Sequence, residues 1–325
     1  MLQELFRIPF INTPVYGYGL MLVVGFLLAS QLAKYLAVRS AIDPEVFSTA
    51  VLIMLVAGVA GARISHILEN LPEFTRGSFK ENFFNMVNIR SGGLTYYGGF
   101  LLATPCALLY GLSKKVPLRR GMDIVAPCLM IGLGFGRIGC FLNGCCYGAE
   151  CDLPWAVSFP YYSNAYVDEF QRGKLDKPVP QTLLVPTRDG AGEKLMEPEW
   201  VQRDPLAKSD AASVGSNYLH PTQLYSAFTA FLLALLLFAY YSMPHPPGRV
   251  FALMLLLEGS TRFLLELIRV EPPVLGPMSL SMVLGLCLVA AGVAMWYFTT
   301  GPNDDLEFHP EESEALPTPT LRIAR

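Results

Sequence analysis

The chain has 325 residues, 52% hydrophobic and only 16% charged, with a formal net charge of −3 and a mean hydropathy of +0.39. Soluble domains carry about 25% charged residues, so this composition excludes an ordinary soluble protein. With no long basic cluster to set against so small a net charge, nothing points to nucleic acid as a partner.

Several windows hold about 18 or more mainly apolar residues, the length a hydrocarbon core demands. The chain therefore reads as an all-α polytopic membrane protein of about seven transmembrane helices. The first run, 16–38, has no basic stretch before it and reads as a span rather than a removable signal peptide. A second, about 46–68, is interrupted by Gly58, Gly61, Arg63 and His66. Residues 69–91 are polar and mixed in charge. A third span, about 92–112, and a fourth, about 122–142, flank the densest basic loop, with Lys114, Lys115, Arg119 and Arg120.

Residues 149–219 break the pattern. They are polar, proline-containing and carry Trp155 and Trp200, and they predict a small extramembrane cap between spans four and five. Within it, 174–212 reads as an irregular or mobile loop. Three more spans follow near 221–241, 250–268 and 278–298. Residues 1–298 thus form one transmembrane domain, and the acidic 299–325 is expected to be a disordered cytoplasmic tail.

Lys and Arg in the short loops set the orientation. Lys34, Arg39, Lys114, Lys115, Arg119, Arg120 and Arg249 share one side, against Arg7, Arg76, Lys80 and Arg90 on the other. That bias puts the amino terminus and the cap outside.

The fourth span ends in Gly132-Leu-Gly-Phe-Gly-Arg-Ile-Gly-Cys-Phe-Leu-Asn-Gly-Cys-Cys-Tyr-Gly148. Glycine lets a backbone or ligand approach closely. Arg137 either snorkels to the headgroups or brings guanidinium donors onto a phosphate-like anion. Asn143 either bonds a headgroup or caps the broken helix. In the sixth span Glu258, Arg262, Glu266 and Arg269 recur on one helix face. Each charge costs about 2.5–3.5 kcal/mol at the bilayer centre, so the four must face the interior or a wet cavity. Arg137 and Arg262 are positioned to share one anionic ligand.

Of the seven cysteines, Cys106, Cys128 and Cys287 lie in apolar runs and read as inert. Cys140, Cys145, Cys146 and Cys151 lack paired C-x2-C spacing, so no metal site and no cofactor are expected. A disulfide from Cys151 to Cys145 or Cys146 is expected instead, with Cys140 a buried thiol. His66 reads as interfacial or core, and His245 and His309 as solvated loop residues.

Taken together, these motifs resemble the prolipoprotein diacylglyceryl transferase family. Tyr16-Gly-Tyr-Gly-Leu-Met21 is similar to its first-span motif, with Tyr18 at the functional tyrosine. Gly61-Ala-Arg63 and Gly92-Gly-Leu-Thr-Tyr-Tyr-Gly-Gly99 are similar to its second and third. Gly136-Arg-Ile-Gly-Cys-Phe-Leu-Asn-Gly144 resembles the signature, with Asp152-Leu-Pro-Trp-Ala-Val-Ser-Phe-Pro160, His220-Pro-Thr-Gln-Leu-Tyr225 and Arg262-Phe-Leu-Leu-Glu266 following in order.

The resemblance implies transfer of the diacylglyceryl group of phosphatidylglycerol to the lipobox cysteine of a prolipoprotein at the bacterial inner membrane. A thioether forms and glycerol phosphate leaves. It implies catalytic roles for Arg137, Arg262, Tyr97 and His220. Phosphatidylglycerol would be bound by Arg137, Tyr18, Gly98, Gly99, Asn143, Glu266 and Arg269. Tyr97 stands where the family usually carries histidine, and tyrosine, with an unperturbed pKa of about 10, is the poorer base. Deprotonation would then pass to His220, Glu266 or water. Ser226 replaces a usual acid, and Cys140 and Cys145 replace the asparagine and acid of some members. A lipid-binding paralogue that has lost the base, or a transporter, is the alternative reading.

Overall fold

The computed structural model describes residues 4–8, 13–75, 78–88, 93, 95–187, 192–269, 271 and 273–299. Gly92 and the tail beyond Thr299, His309 included, lie outside them. A two-stranded hairpin, β1 (Glu4–Ile8) with β2 (Thr13–Tyr16), leads into α1 (Gly17–Arg39) and α2 (Pro44–Glu69). Short helices α3 (Leu71–Phe74) and α4 (Phe79–Val87) occupy the stretch read only as polar, the latter opened by a Ser78/Glu81 capping box. Then come α5 (Tyr96–Ser113) and α6 (Leu118–Asn143).

The cap contains α7 (Asn164–Gln171), the hairpin β3 (Leu184–Pro186) with β4 (Glu193–Leu195), α8 (Pro198–Val201) and α9 (Pro205–Ser213). It is followed by α10 (Thr222–Tyr241), α11 (Arg249–Glu266), a hairpin of β5 (Pro273–Leu275) with β6 (Met278–Ser279), and α12 (Leu280–Phe298). The seven expected spans correspond to α1, α2, α5, α6, α10, α11 and α12. Five of these, α1, α2, α6, α10 and α12, are long and apolar enough to cross a membrane by length and composition. Helix α5 is shorter, and α11 is interrupted by its charges.

Local chemistry sets the helix ends. Asp43 accepts from the Glu45 backbone N–H at 2.9 Å, with Pro44 opening α2. Gly144 ends α6 in the left-handed region at φ 71°, a conformation glycine adopts without steric cost. Asp123, buried on α6, caps α11 by accepting from the backbone N–H groups of Gly248 and Phe251, at 2.5 and 2.9 Å.

Helix α6 is central. It packs on α1, α10 and α11, while α2 pairs with α5 and α11 with α12. Leu233, Leu237, Val250 and Met254 join Ala126 and Met130 in one core; Leu36, Ala37 and Phe47 join Ile124 in another. Where helices lack interlocking side chains they approach through glycine. A Cβ on Gly61 would lie 2.4 Å from the Gly98 carbonyl oxygen, and one on Gly259 2.6 Å from that of Gly285. Such close approach is how helices associate when lipid removes the hydrophobic drive between them. Leu101, Phe228, Leu235 and Val56 remain exposed on outer faces, as lipid-facing side chains are.

Two expectations need correction. Residues 174–212 are not one irregular loop: Leu183, Val201 and Ala207 form a small buried core there, and the Tyr161 hydroxyl donates to the Met196 carbonyl at 2.8 Å. His245 is not solvated. Its ring lies near Tyr240 and Tyr241, with Nε2 3.8 Å from Asp123. The apolar residues of the cap are spaced too irregularly to announce a core, and His245 meets Asp123 only through tertiary contact.

Candidate active site

The glycine–arginine end of α6 and the charged end of α11 converge on one cavity. Arg137, Cys146, Thr222, Ser226, Glu258, Thr261, Arg262, Leu265, Glu266 and Arg269 line it. Helix periodicity carries Glu258, Arg262 and Glu266 to the same face, and the start of α10 adds the hydroxyls of Thr222 and Ser226.

Glu266 is buried and accepts from the Ser279 hydroxyl at 2.8 Å and from Arg269 Nη1 at 3.1 Å. Arg269 also pairs with Glu271. The inner arginines are different. Among the described residues, neither Arg137 nor Arg262 has a carboxylate at ion-pair distance or a hydrogen-bond partner. The Nε atoms of Arg262 and Arg269 are buried with no acceptor. A guanidinium withdrawn from water without a partner is costly. Three arginines around one cavity with donors to spare are arranged for an anion, and the planar fork of arginine suits a phosphate.

The other expected residues fall into two groups. Tyr18 packs on Gly139, where a Cβ would lie 2.9 Å from its ring, and its phenol is within electrostatic reach of Arg137, Cys140, Cys145 and Cys146. Asn143, at the end of α6, hydrogen-bonds the Cys145 thiol. His220 does not line the cavity. It lies two residues before Thr222, with Nδ1 3.4 Å from the Tyr225 hydroxyl, which also accepts from Trp155 Nε1 at 2.7 Å.

Tyr97, Gly98 and Gly99 stand apart from the cavity on α5. Tyr97 is 55% exposed. Gly98 and Gly99 press against Ser65, Gly61 and Gly58 of α2, which makes them helix-packing residues in this structure. Arg63 is likewise structural in its contacts, donating to the carbonyls of Asn85, Met86 and Gly93 at 2.6–3.0 Å.

All seven cysteines are free thiols, so the disulfide expected from Cys151 to Cys145 or Cys146 is absent. Instead the sulfurs of Cys140, Cys145 and Cys146 lie within 4.8 Å of one another. The turn after α6 produces this. Gly144 reverses the chain, Cys146 takes φ 61°, and α10 holds both carbonyls: Gln223 Nε2 donates to Cys145 O at 2.7 Å and the Thr222 hydroxyl to Cys146 O at 2.8 Å. Donation from Cys140 and Cys145, with the fields of Arg137 and Arg269, holds the Cys146 thiol far below the ordinary thiol range in spite of burial. Thr222, Thr261 and this thiol cluster are the cavity features that the linear sequence did not reveal. The Cys-Cys pair after a glycine was the one available signal.

The family model for prolipoprotein diacylglyceryl transferase matches residues 3–298. A phosphatidylglycerol–prolipoprotein diacylglyceryl transferase of Trichormus variabilis is 26% identical over 306 residues, 91% of each chain. One of Clostridium tetani is 27% identical over 259 residues, 79% of this chain and 82% of its own. One of Rhodopirellula baltica is 29% identical over 206 residues, 63% of this chain and 42% of its own. The match runs through every long helix and the cavity they enclose, and the chain belongs to the prolipoprotein diacylglyceryl transferase family.

Proposed function

We propose that this chain transfers the diacylglyceryl group of phosphatidylglycerol to the thiol of a lipobox cysteine in a prolipoprotein, the first step of lipoprotein maturation. One observation carries the reading beyond family membership: among the described residues, Arg137 and Arg262 meet in one cavity with no carboxylate at ion-pair distance, though within the field of Glu258, and the Nε atoms of Arg262 and Arg269 are buried without an acceptor.

The chemistry accounts for that arrangement. Attack of the thiolate on the glyceryl carbon breaks the carbon–oxygen bond toward the phosphate. The leaving glycerol phosphate gains charge as the bond opens, and preoriented guanidinium groups stabilise it most in a site sheltered from water. Arg137 and Arg262 do this. Arg269, held by Glu266, binds the headgroup, and the hydroxyls of Thr222, Ser226 and Thr261 supply neutral hydrogen bonds. Asn143 and Tyr18 border the same end of α6, where the lipobox thiol enters. His220 acts from beside the cavity mouth, within reach of Tyr225, as the imidazole available for proton transfer. Gly98 and Gly99 serve the site only through the close α2–α5 packing that they allow, and Tyr97 stands beside them on α5, outside the cavity lining. The positive-inside count supports a bacterial inner-membrane protein whose cavity opens to the periplasmic side.

The test uses purified full-length protein, phosphatidylglycerol and a lipobox peptide, with the mass of the peptide as readout. A diacylglyceryl increment that requires the peptide cysteine is expected. Folded, lipid-loaded protein that yields none would overturn the reading.

A further inference from the structure

Cys146 belongs both to the wall of the anion cavity and to the three-thiol cluster. Three ligands with an open fourth position is the arrangement of catalytic zinc, whereas structural zinc sites are closed by four. The distances suit it. Zn–S bonds of about 2.3 Å around a tetrahedral ion place sulfurs about 3.8 Å apart, and these three already lie within 4.8 Å of one another. The remaining ångström is within reach of side-chain rotation.

The surroundings favour a filled site. Three thiolates around a dication leave one net negative charge, and Arg137 and Arg269 line the same cavity to balance it. Gln223 is fully buried; it fixes the Cys145 carbonyl through Nε2 and leaves Oε1 without a donor. Among the described residues that oxygen is an orphan acceptor, on the side chain that anchors the backbone of one of the three thiols. Cys146 adopts a left-handed φ of 61°, uncommon for a residue with a Cβ, to bring its sulfur back toward Cys140. All-thiolate donors select soft ions such as Zn2+ or Cu+ over Mg2+ or Ca2+.

We propose that Cys140, Cys145 and Cys146 bind one Zn2+ ion at the cavity wall, and that its fourth position takes the thiol of the incoming lipobox cysteine. The second half rests on the transferase reading. A thiol on zinc loses its proton outright, here to the His220 imidazole that the transferase reading already supplies. Its sulfur lone pair forms the bond to the glyceryl carbon, and the bonding pair of the broken carbon–oxygen bond leaves on the phosphate beside Arg137 and Arg262. The neutral thioether product is a poor ligand and departs. The ion thereby performs the deprotonation for which Tyr97 is poorly suited.

The experiment purifies the full-length protein in detergent under reductant, measures its zinc content, and exchanges the ion for Co2+, whose absorption reports tetrahedral thiolate ligation. We expect one ion per chain, lost together with the cobalt spectrum in Cys140→Ser and Cys145→Ser. The spectrum should shift when a lipobox peptide is added and stay unchanged with the Cys→Ser peptide. Chelator-treated protein should lose at least tenfold in transfer rate and recover with Zn2+. A chain that binds neither ion, a disulfide among the three thiols, or ligation that survives both serine variants would overturn the site. Undiminished transfer by zinc-free protein, or no spectral shift with the cysteine peptide, would overturn its role and leave the transferase reading standing. A bound ion in folded protein that transfers nothing would uphold the site and refute the transferase reading.

Discussion

Arg269 Nη1 lies 3.1 Å from the Glu266 carboxylate, yet among the described residues Arg269 Nε finds no acceptor although it is buried. The carboxylate holds the arginine in place and leaves part of its donor set for the cavity. Glu266→Gln should therefore weaken phosphatidylglycerol binding more than it slows turnover at saturating lipid. Gln keeps an acceptor for Ser279, so the fold should survive. Glu266→Ala, which leaves Arg269 with only the more exposed Glu271 and the Ser279 hydroxyl without its acceptor, should cost about 1–3 kcal/mol of stability. Lipid titrations of the transfer rate and detergent melts of the three proteins check this. Equal losses in both variants would show that Glu266 acts on the reaction itself.

The contact between Gly61 and Gly98 is too close for any side chain. Gly98→Leu should destabilise the α2–α5 pair by about 1–3 kcal/mol or more, lowering the melting temperature and the yield of folded protein. Any lost activity should be proportional to lost fold. A stable Gly98→Leu protein with no lipid binding would return the glycine to a direct role in the site.

Tyr97 is half exposed and lies outside the cavity lining. Tyr97→Phe should leave the rate of transfer within about threefold, since removing a hydroxyl from a site open to solvent or lipid has a small effect. Tyr97→His should give no large gain. A rise of a hundredfold or more with histidine would mark Tyr97 as a displaced catalytic base.

In the cap, burial pushes the Glu169 carboxyl above its usual value near 4.5, helped by Glu150, Asp176 and Asp168 and opposed by the N–H that Asn217 donates. The native state therefore holds this proton more tightly than the unfolded chain. Its contribution is most favourable below the unfolded value and is lost as pH rises through the raised native one. Melts run from below the ordinary carboxyl value of 4.5 upward should show Glu169→Gln gaining relative to wild type as pH rises. The reverse trend would mean that the Asn217 hydrogen bond outweighs desolvation.

Much of this architecture was legible in the sequence because the bilayer is a simple solvent. Runs of apolar residues gave the long helices within a few positions. The four-residue spacing of Glu258, Arg262 and Glu266 gave a charged face that must point inward. The order of the motifs placed Arg137 in the signature and Arg262 in a later motif of the same family. What stayed hidden depended on tertiary contacts. Asp123 caps α11 from 125 residues away in sequence. Leu183, Val201 and Ala207 form a core without a regular period. Cys140, Cys145 and Cys146 are spaced unlike common metal ligands, and only the left-handed turns at Gly144 and Cys146 bring their sulfurs together.

The central claim is that Arg137 and Arg262 act on the phosphate as it leaves. The most direct measurement is the single-turnover rate of diacylglyceryl transfer by Arg137→Ala and Arg262→Ala proteins, with folding verified by melting and phosphatidylglycerol retention by mass. Losing a preorganised donor to a developing anion costs about 100- to 1,000-fold. Each variant should fall by at least that factor while staying folded. Folded variants that transfer within about tenfold of wild type would contradict the account.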